Sequence, residues 1–274
     1  MTAQGIVARI QQQLASQSIA WREGGRDSFK AGRPETAVRG IATTGMSTFD
    51  VLRRAAAGGT NFVITHEPTF YNDRDVTTTL ESDPIYLAKQ RFIVAHDLVV
   101  WRFHDHAHAM KPDPLVAGSA RMLGWTQYAS PTEPRIYILP TTTLGQLATD
   151  VARRLGDHAI RIVGDPAMKV SRVVLGPGYG IPALTSDVDI TVGGEIGESG
   201  GNTEYAIDAA ATGQPKGMIM LGHMMSEDHG MREVAEWLRT FLTDVPIEFV
   251  PAGEPFSSAT VQGGLERRPT RTGF

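Results

Sequence analysis

The chain contains no cysteine, which excludes disulfides, zinc ribbons and thiolate catalysis and leaves imidazole and carboxylate side chains as ligands for any metal. Long apolar runs are also missing, because no stretch reaches the roughly eighteen apolar residues that a membrane span requires. Basic segments are short, none exceeds the Arg267-Arg268 pair, and the formal net charge is −4. The sequence therefore predicts neither a membrane protein nor a protein that wraps nucleic acid.

The N-terminal segment from Thr2 to Trp21 places Ile6, Ile10 and Leu14 at helical spacing among glutamines. It lacks the apolar block and the cleavage pattern of a signal peptide. We therefore expect an amphipathic surface helix and a cytoplasmic protein. The 274 residues, of which 41% are hydrophobic and 20% charged, are typical of a packed globular protein of one or two domains.

Strand and helix patterns alternate after Arg39. Each predicted helix is flanked by short apolar runs, which indicates βαβ units and an α/β fold with parallel or mixed sheets. The predicted elements include strands at Gly40 to Thr44, Asn61 to Thr65, Leu98 to Phe103, Ala159 to Val163, Asp189 to Val192 and Met218 to Leu221, and one long helix at Glu227 to Leu242.

The periodic patterns are interrupted at residues 129–134, where prolines and polar residues cluster. Two lobes, or one lobe with a large inserted subdomain, would both fit this break. We predict an N-terminal α/β lobe over residues 1–130 and a second α/β region over residues 131–256, with a metal-binding cleft between them. Residues 257–274 lack periodicity and are predicted to form a poorly ordered tail.

Histidines follow three of the predicted strands. His66 and Glu67 come after the first, residues 104–108 after the second, and His223 after the third. The carboxyl ends of parallel strands meet at one edge of a sheet, so loops at these ends converge. We therefore predict one divalent metal centre built from these segments, with zinc, manganese, iron, nickel or cobalt as the ions that suit such ligands.

The densest segment contains His104, Asp105, His106 and His108. In an extended segment the three histidines would point to one side, whereas a coiled loop would relax this arrangement. The alternative interpretation is a solvated, histidine-rich loop without a metal.

His223 and Glu227 stand four residues apart at the predicted start of a helix, a spacing that suits paired metal ligands. The alternative is that Ser226 or Asp228 caps this helix, while Glu227 only suits the positive end of its dipole. Both interpretations stay open at this point.

Two glutamates are candidates for catalysis. Glu67 could ligate a metal, bridge two ions or act as a base. Glu195 follows a predicted strand and could orient a metal ligand or contact a substrate, although a polar turn residue would fit as well.

The assembled motifs resemble the Nif-three-like dinuclear metal centre proteins, often labelled homologues of type 2 GTP cyclohydrolase I. The resemblance spans roughly Ile41 to Phe256 and is carried by the stretches NFVITHEPTFY, WRFHDHAHAM, DVDITVGGE and GHMMSEDHGMREVAEWL. It implies that His66, His223 and Glu227 are metal ligands. Two positions depart from the family pattern.

Glu67 stands where the family has a second adjacent histidine, and His108 stands where it has a ligating aspartate, with Asp105 available if the loop shifts. These departures preserve a set of three imidazoles and two carboxylates, so two ions per chain are expected. The competing hypothesis is that one of the two metal positions has been lost.

The resemblance further implies two α/β lobes with the metals in the cleft between them, and assembly of the chain with itself as a homohexamer. The predicted function is metal-dependent hydrolysis of a small polar substrate, phosphorylated or nucleotide-like, in which Glu67 or Glu195 transfers the proton. The alternative is a non-catalytic metal-binding scaffold, chaperone or sensor.

Overall fold

We describe the protein from a computed structural model. The described residues are 1–156, 160–199, 201–257, 259–260 and 264–265. They divide into two compact units: Met1–Gly118 with Glu227–Ala252, and Ser119–Ser226 with the described residues from Gly253 onwards. None of the helices in these ranges combines the length and the apolarity that a membrane span requires.

The first unit contains a five-stranded sheet with the order β1-β4-β3-β2-β10. Its strands are β1 (Phe29–Ala31), β2 (Ile41–Thr44), β3 (Phe62–Thr65), β4 (Val99–Arg102) and β10 (Ile247–Phe249). The edge strand β1 is antiparallel to β4, and the other neighbours pair in parallel. Its helices are α1 (Ala3–Ser16), α2 (Phe49–Ala57), α3 (Pro84–Ala95), α4 (Asp105–Ala109) and α9 (Gly230–Arg239), and the division between the units falls within α5 (Pro114–Met122).

Successive residues of each strand point to opposite sides of this sheet, so the sheet has two apolar faces. Helices cover both faces. Phe62 and Ile64 pack with α1 and α9, whereas Val63 between them packs with α2 and α3. The strands β2, β3 and β4 are therefore buried along their whole length. Burial on both faces explains why residues 62–64 of β3 and 99–101 of β4 are continuous apolar runs, while β2 ends in two buried threonines.

The second unit contains a five-stranded sheet with the order β5-β7-β8-β9-β6. Its elements are a 3-10 helix (Thr126–Tyr128), β5 (Ile136–Thr143), α6 (Leu144–Leu155), β6 (Arg161–Val163), β7 (Lys169–Gly176), β8 (Ile190–Gly193), α7 (Gly201–Ala211), β9 (Gly217–Met220) and α8 (His223–Glu227). The central strands β7, β8 and β9 are parallel, and the edge strands β5 and β6 are antiparallel to their neighbours. The predicted α/β class with mixed sheets is confirmed.

The predicted long helix from Glu227 to Leu242 is wrong, because α8 ends at Glu227 and α9 begins at Gly230. Asp228, between the two helices, accepts a hydrogen bond from the Gly45 N–H through Oδ1 (3.0 Å). Gly230 then packs so closely that a Cβ at this position would lie 2.5 Å from Leu115 Cα. These tertiary contacts separate the two helices, and the apolar spacing of the sequence does not predict them.

Two predictions fall partly on residues that are not described. The strand expected from Ala159 is described only as β6 from Arg161, since Ala159 lies outside the described residues. In the tail, β11 (Ala259–Thr260) pairs antiparallel with β12 (Gly264–Leu265). The rest of residues 258–274 also lies outside the described ranges.

Candidate metal centre

His66 and Glu67 leave the carboxyl end of β3, directly after Thr65. The His66 N–H donates to the carbonyl of Thr44 on the neighbouring strand (3.1 Å), which continues the ladder past the end of β3. The imidazole is fully buried, and its Nδ1 lies 3.2 Å from the carbonyl oxygen of Phe103. This bond takes up Nδ1, so Nε2 is the ring nitrogen available to a metal.

Asp105–Ala109 form the short helix α4, and His104 is its N-cap residue, instead of the extended segment or coiled loop considered from the sequence. Asp27 stabilises this helix, because its carboxylate accepts hydrogen bonds from the backbone N–H groups of His104, Asp105 and His106. Backbone N–H groups at the start of a helix have no partner within it, and a carboxylate satisfies them well.

The helical spacing separates the three histidines of this segment. His104 and His108 are four residues apart, so they lie on one face of α4. His106 points elsewhere: its ring stacks on Trp21 with a centroid distance of 3.9 Å, and its Nδ1 contacts the Asp27 carboxylate at 2.5 Å. Two histidines of the cluster therefore face the candidate site, and the third packs against the N-terminal loop.

The rings of His66, His104 and His108 converge. Their centroids are 4.4 to 5.0 Å apart, and each ring offers one nitrogen such that all three ligand atoms lie within 4.8 Å of one another. Three imidazole nitrogens at such separations can bind one divalent cation.

Each of these three rings also contacts an oxygen atom through its Nδ1, at hydrogen-bond distance. The partners are Phe103 O for His66 (3.2 Å), Asp105 Oδ1 for His104 (3.0 Å) and Asp113 Oδ2 for His108 (3.0 Å). Metal-binding histidines nearly always donate their second ring N–H to a carbonyl or carboxylate, because this bond fixes the ring and raises its basicity. The three imidazoles therefore share the hydrogen-bonding pattern of metal ligands.

Two carboxylates complete the cluster. Glu67 Oε1 lies 3.9 Å from His66 Nε2 and 3.8 Å from His104 Nε2, and Glu227 Oε2 lies 3.7 Å from His66 Nε2. These separations exceed hydrogen-bond lengths, yet they allow one cation to lie between the atoms. His66, Glu67 and Glu227 form a second group whose ligand atoms lie within 4.8 Å of one another.

His66 and His104 are in the neutral form that binds metal. Burial lowers the pKa of His66 well below its ordinary value, and the neighbouring rings of His104 and His108 lower it further. Burial also lowers the pKa of His104. Both rings are therefore neutral at neutral pH. His66 Nε2 is buried without a hydrogen-bond partner among the described residues, so the site fits a cation.

Asp105, a predicted alternative ligand, belongs to neither group. Its Oδ1 bonds to His104 Nδ1, and its Oδ2 accepts from the backbone N–H of Arg26 at 2.9 Å. Burial raises the pKa of Asp105, but these hydrogen bonds and the positive charge of Arg26 outweigh burial and hold the pKa at about 2. Asp105 is thus a permanent anion that orients His104.

The second unit repeats the pairing of an imidazole with a carboxylate. His223 opens α8, and its Nδ1 lies 3.1 Å from Oε2 of Glu195, which follows β8. Tyr179 contacts the His223 ring edge-on at a centroid distance of 4.7 Å. Glu195 thus orients a candidate metal-binding histidine, which is one of the roles expected from the sequence.

The capping alternative for this segment does not match the structure. The Ser226 hydroxyl donates to the His223 carbonyl (2.6 Å) and accepts from the Gly178 N–H (2.9 Å). The N-cap residue of α9 is His229, whose side chain makes no capping hydrogen bond. Glu227 ends α8 rather than opening a longer helix, so the helix dipole does not account for its position.

Sequence reasoning missed three residues around the site: Asp27, Asp113 and Arg102. Asp113 had a detectable signal, because an aspartate before proline is typical of a helix start, and its Oδ1 accepts the Leu115 N–H (2.9 Å). Asp27 and Arg102 had none, since their contacts join segments far apart in sequence.

Comparison with known proteins identifies relatives. The sequence model of the family described as Duf34/NIF3 (NGG1p interacting factor 3) matches residues 3–255. No curated protein matches the chain.

Solved structures share the fold. The hypothetical protein SA1388 of Staphylococcus aureus is similar with a TM-score of 0.72 and 17% identity, over 94% of this chain and 99% of that chain. The protein ybgI, described as of unknown function, is similar with a TM-score of 0.67 and 21% identity, over 93% and 100%. Reduced HcgD from Methanocaldococcus jannaschii is similar with a TM-score of 0.61 and 15% identity, over 91% and 98%.

Proposed function

Because this chain belongs to the Duf34/NIF3 family, we propose that it is a metal-dependent hydrolase of a small polar substrate, phosphorylated or nucleotide-like. The observation that carries the proposal is the convergence of His66, His104 and His108, each held through Nδ1 and each offering one ligand atom within 4.8 Å of the other two. Such a set of nitrogen and oxygen ligands suits a divalent ion that acts as a Lewis acid.

The proposed ligands are His66, Glu67, His104, His108 and Glu227, with His223 as the further ligand that the family resemblance implies. Since Nδ1 of His66 contacts Phe103, only its Nε2 can ligate, and that nitrogen can serve one ion. The two groups therefore share a single donor atom at His66. A mononuclear and a dinuclear centre differ in whether Glu67 and Glu227 complete this ion's ligands or hold a second ion.

A bound divalent ion would supply Lewis-acid activation of water near neutral pH. Five protein ligands leave one position open to water in a six-coordinate ion, which favours catalysis over a closed structural site. Glu67 is assigned to the metal, so it is not also the proton acceptor. Glu195, whose side chain is 51% exposed, is the proposed proton carrier.

Metal analysis of the purified protein, joined to an activity screen, tests this proposal. We expect at least one divalent ion per chain. We also expect hydrolysis of phosphomonoesters or phosphodiesters, or opening of the purine ring of GTP. His104→Gln should lose most of the metal and the activity, because it removes an imidazole of the cluster. His96→Gln is the matched control, since His96 is exposed on the surface and its ring contacts Phe92, away from the candidate ligands.

The two failures have different meanings. Tight metal binding without turnover by any physiological ion would reject the hydrolase and favour a scaffold, chaperone or sensor. Absence of metal binding would reject the metal centre itself.

A further inference from the structure

Arg102 ends strand β4 and is fully buried, although it carries a charge. Its Nε donates to the carbonyl of His66 (2.9 Å), and one terminal nitrogen donates to the carbonyl of Asp73 (2.6 Å). The other terminal nitrogen lies 3.4 Å from Glu67 Oε2 and 3.5 Å from Asp73 Oδ1. A buried guanidinium is costly unless its donors are used, and here each of its nitrogens has a partner.

These contacts assign different environments to the two oxygens of Glu67. Oε2 faces the Arg102 guanidinium, while Oε1 faces Nε2 of His66 and of His104 at 3.9 and 3.8 Å. A carboxylate that binds two metal ions through separate oxygens needs both oxygens available. In this chain the oxygen that would bind the second ion is already engaged by a fixed cation.

A second ion bound at Glu67 Oε2 would also lie directly beside the buried guanidinium of Arg102. Because like charges repel strongly where water is excluded, an ion at this position is disfavoured.

We propose that Arg102 is a positioning residue that holds Glu67 Oε2, restricts Glu67 to one-oxygen coordination and limits the cluster to one tightly bound divalent ion. This inference rests on the proposed metal centre. It favours the hypothesis that one of the family's two metal positions has been lost, and it identifies the guanidinium that replaces the second ion.

Calorimetric titration of the metal-free chain with Mn²⁺ tests the inference without requiring turnover. The native chain should bind one ion tightly. Arg102→Gln keeps an amide donor for the His66 carbonyl but removes the charge, so a second Mn²⁺ should bind at least about tenfold more tightly than in the native chain. Asp73→Asn is the matched control, because it changes the other carboxylate near Arg102 and should leave the number of tight ions at one.

A double-mutant cycle shows whether Arg102 acts through Glu67. In Glu67→Gln the bridging carboxylate is absent, so adding Arg102→Gln should no longer create the second site. If Arg102→Gln changes the second affinity equally in both backgrounds, the inference is wrong. Circular dichroism of each variant separates loss of the fold from loss of a ligand.

The stoichiometry of the native chain decides the case even if Arg102→Gln does not fold. Two equally tight Mn²⁺ ions per native chain would overturn the role of Arg102 while leaving the proposed metal centre intact. No bound ion at all would instead overturn the metal centre.

Discussion

Lys89 on α3 buries an ammonium group: the residue is 3% exposed, and its Nζ donates to the carbonyl of Thr69 at 2.6 Å. Burial lowers the pKa of Lys89 from 10.5 to about 8, and the attraction of Asp75 offsets only part of this effect. Between these pH values the unfolded chain binds more protons than the folded one. The free energy of unfolding should therefore rise with pH across this window, by on the order of 3 kcal/mol from this residue.

Urea unfolding at pH 8 and pH 10, compared between the native chain and Lys89→Met, measures this contribution. The difference between the two proteins cancels the other groups that titrate in the same range. We expect the native chain to gain more stability than the variant as the pH rises. Lys111→Met, which removes an exposed lysine, is the control and should follow the native chain. An identical pH dependence in Lys89→Met would show that the buried ammonium keeps its ordinary pKa.

Asp113 illustrates how one carboxylate can have two roles at the residue scale. Its Oδ2 orients His108, and its Oδ1 accepts the N–H of Leu115 near the start of α5. Asp113→Asn should weaken metal binding roughly 10- to 100-fold, because a neutral amide orients the imidazole less strongly. The helix should stay intact, since asparagine caps as well as aspartate does.

Metal titration of Asp113→Asn, beside the exposed control Asp50→Asn, checks this expectation. The control residue forms only a surface ion pair with Arg54 and should leave the affinity unchanged. Equal affinity in both variants would remove Asp113 from the site.

At the scale of the element, α4 is too short to be stable by itself, with five residues. It persists because Asp27 accepts three of its first N–H groups and contacts His106. Asp27→Ala should therefore cost roughly 2 to 3 kcal/mol of stability and should also abolish tight metal binding, since His104 and His108 depend on α4 for their common face.

Thr48→Ala is the matched control for this prediction. The Thr48 hydroxyl accepts the N–H of Val51 at 3.2 Å, and its loss should cost about 1 kcal/mol by uncapping α2. Metal affinity should remain, because α2 carries none of the candidate ligands. Denaturation and titration of both variants separate a general loss of stability from a specific loss of α4. Full metal affinity in Asp27→Ala would contradict the role given to this helix.

For the whole molecule, the family resemblance predicts a homohexamer. Several large apolar side chains of the first unit are exposed in the single chain, including Ile85 at 66% and Val94 at 77%. Such residues are commonly covered by a second copy of the chain. Light scattering after size exclusion should give a mass about six times the 29.7 kDa of one chain. A mass of one or two chains at micromolar concentration would contradict this assembly.

The sequence by itself determined the α/β class and the location of the histidines. A buried parallel strand such as β3 contains a continuous apolar run, and a cap such as Thr48 marks where a helix begins, so both are local signals. His66 follows an apolar run, so its position at a strand end, and therefore its candidacy as a ligand, was also a local signal. Histidines and glutamates in a chain without cysteine narrowed the chemistry of any metal site.

The tertiary structure alone decided which of these residues meet. Asp27 makes residues 105–109 helical, and so turns His106 away while His104 and His108 face His66. Arg102 contacts Glu67, and Asp228 contacts Gly45. The partners of each pair are far apart in the sequence, so no local pattern predicts these contacts. Periodicity reports only neighbours within a few residues, whereas the geometry and charge of a site depend on contacts between segments that become neighbours when the sheet forms.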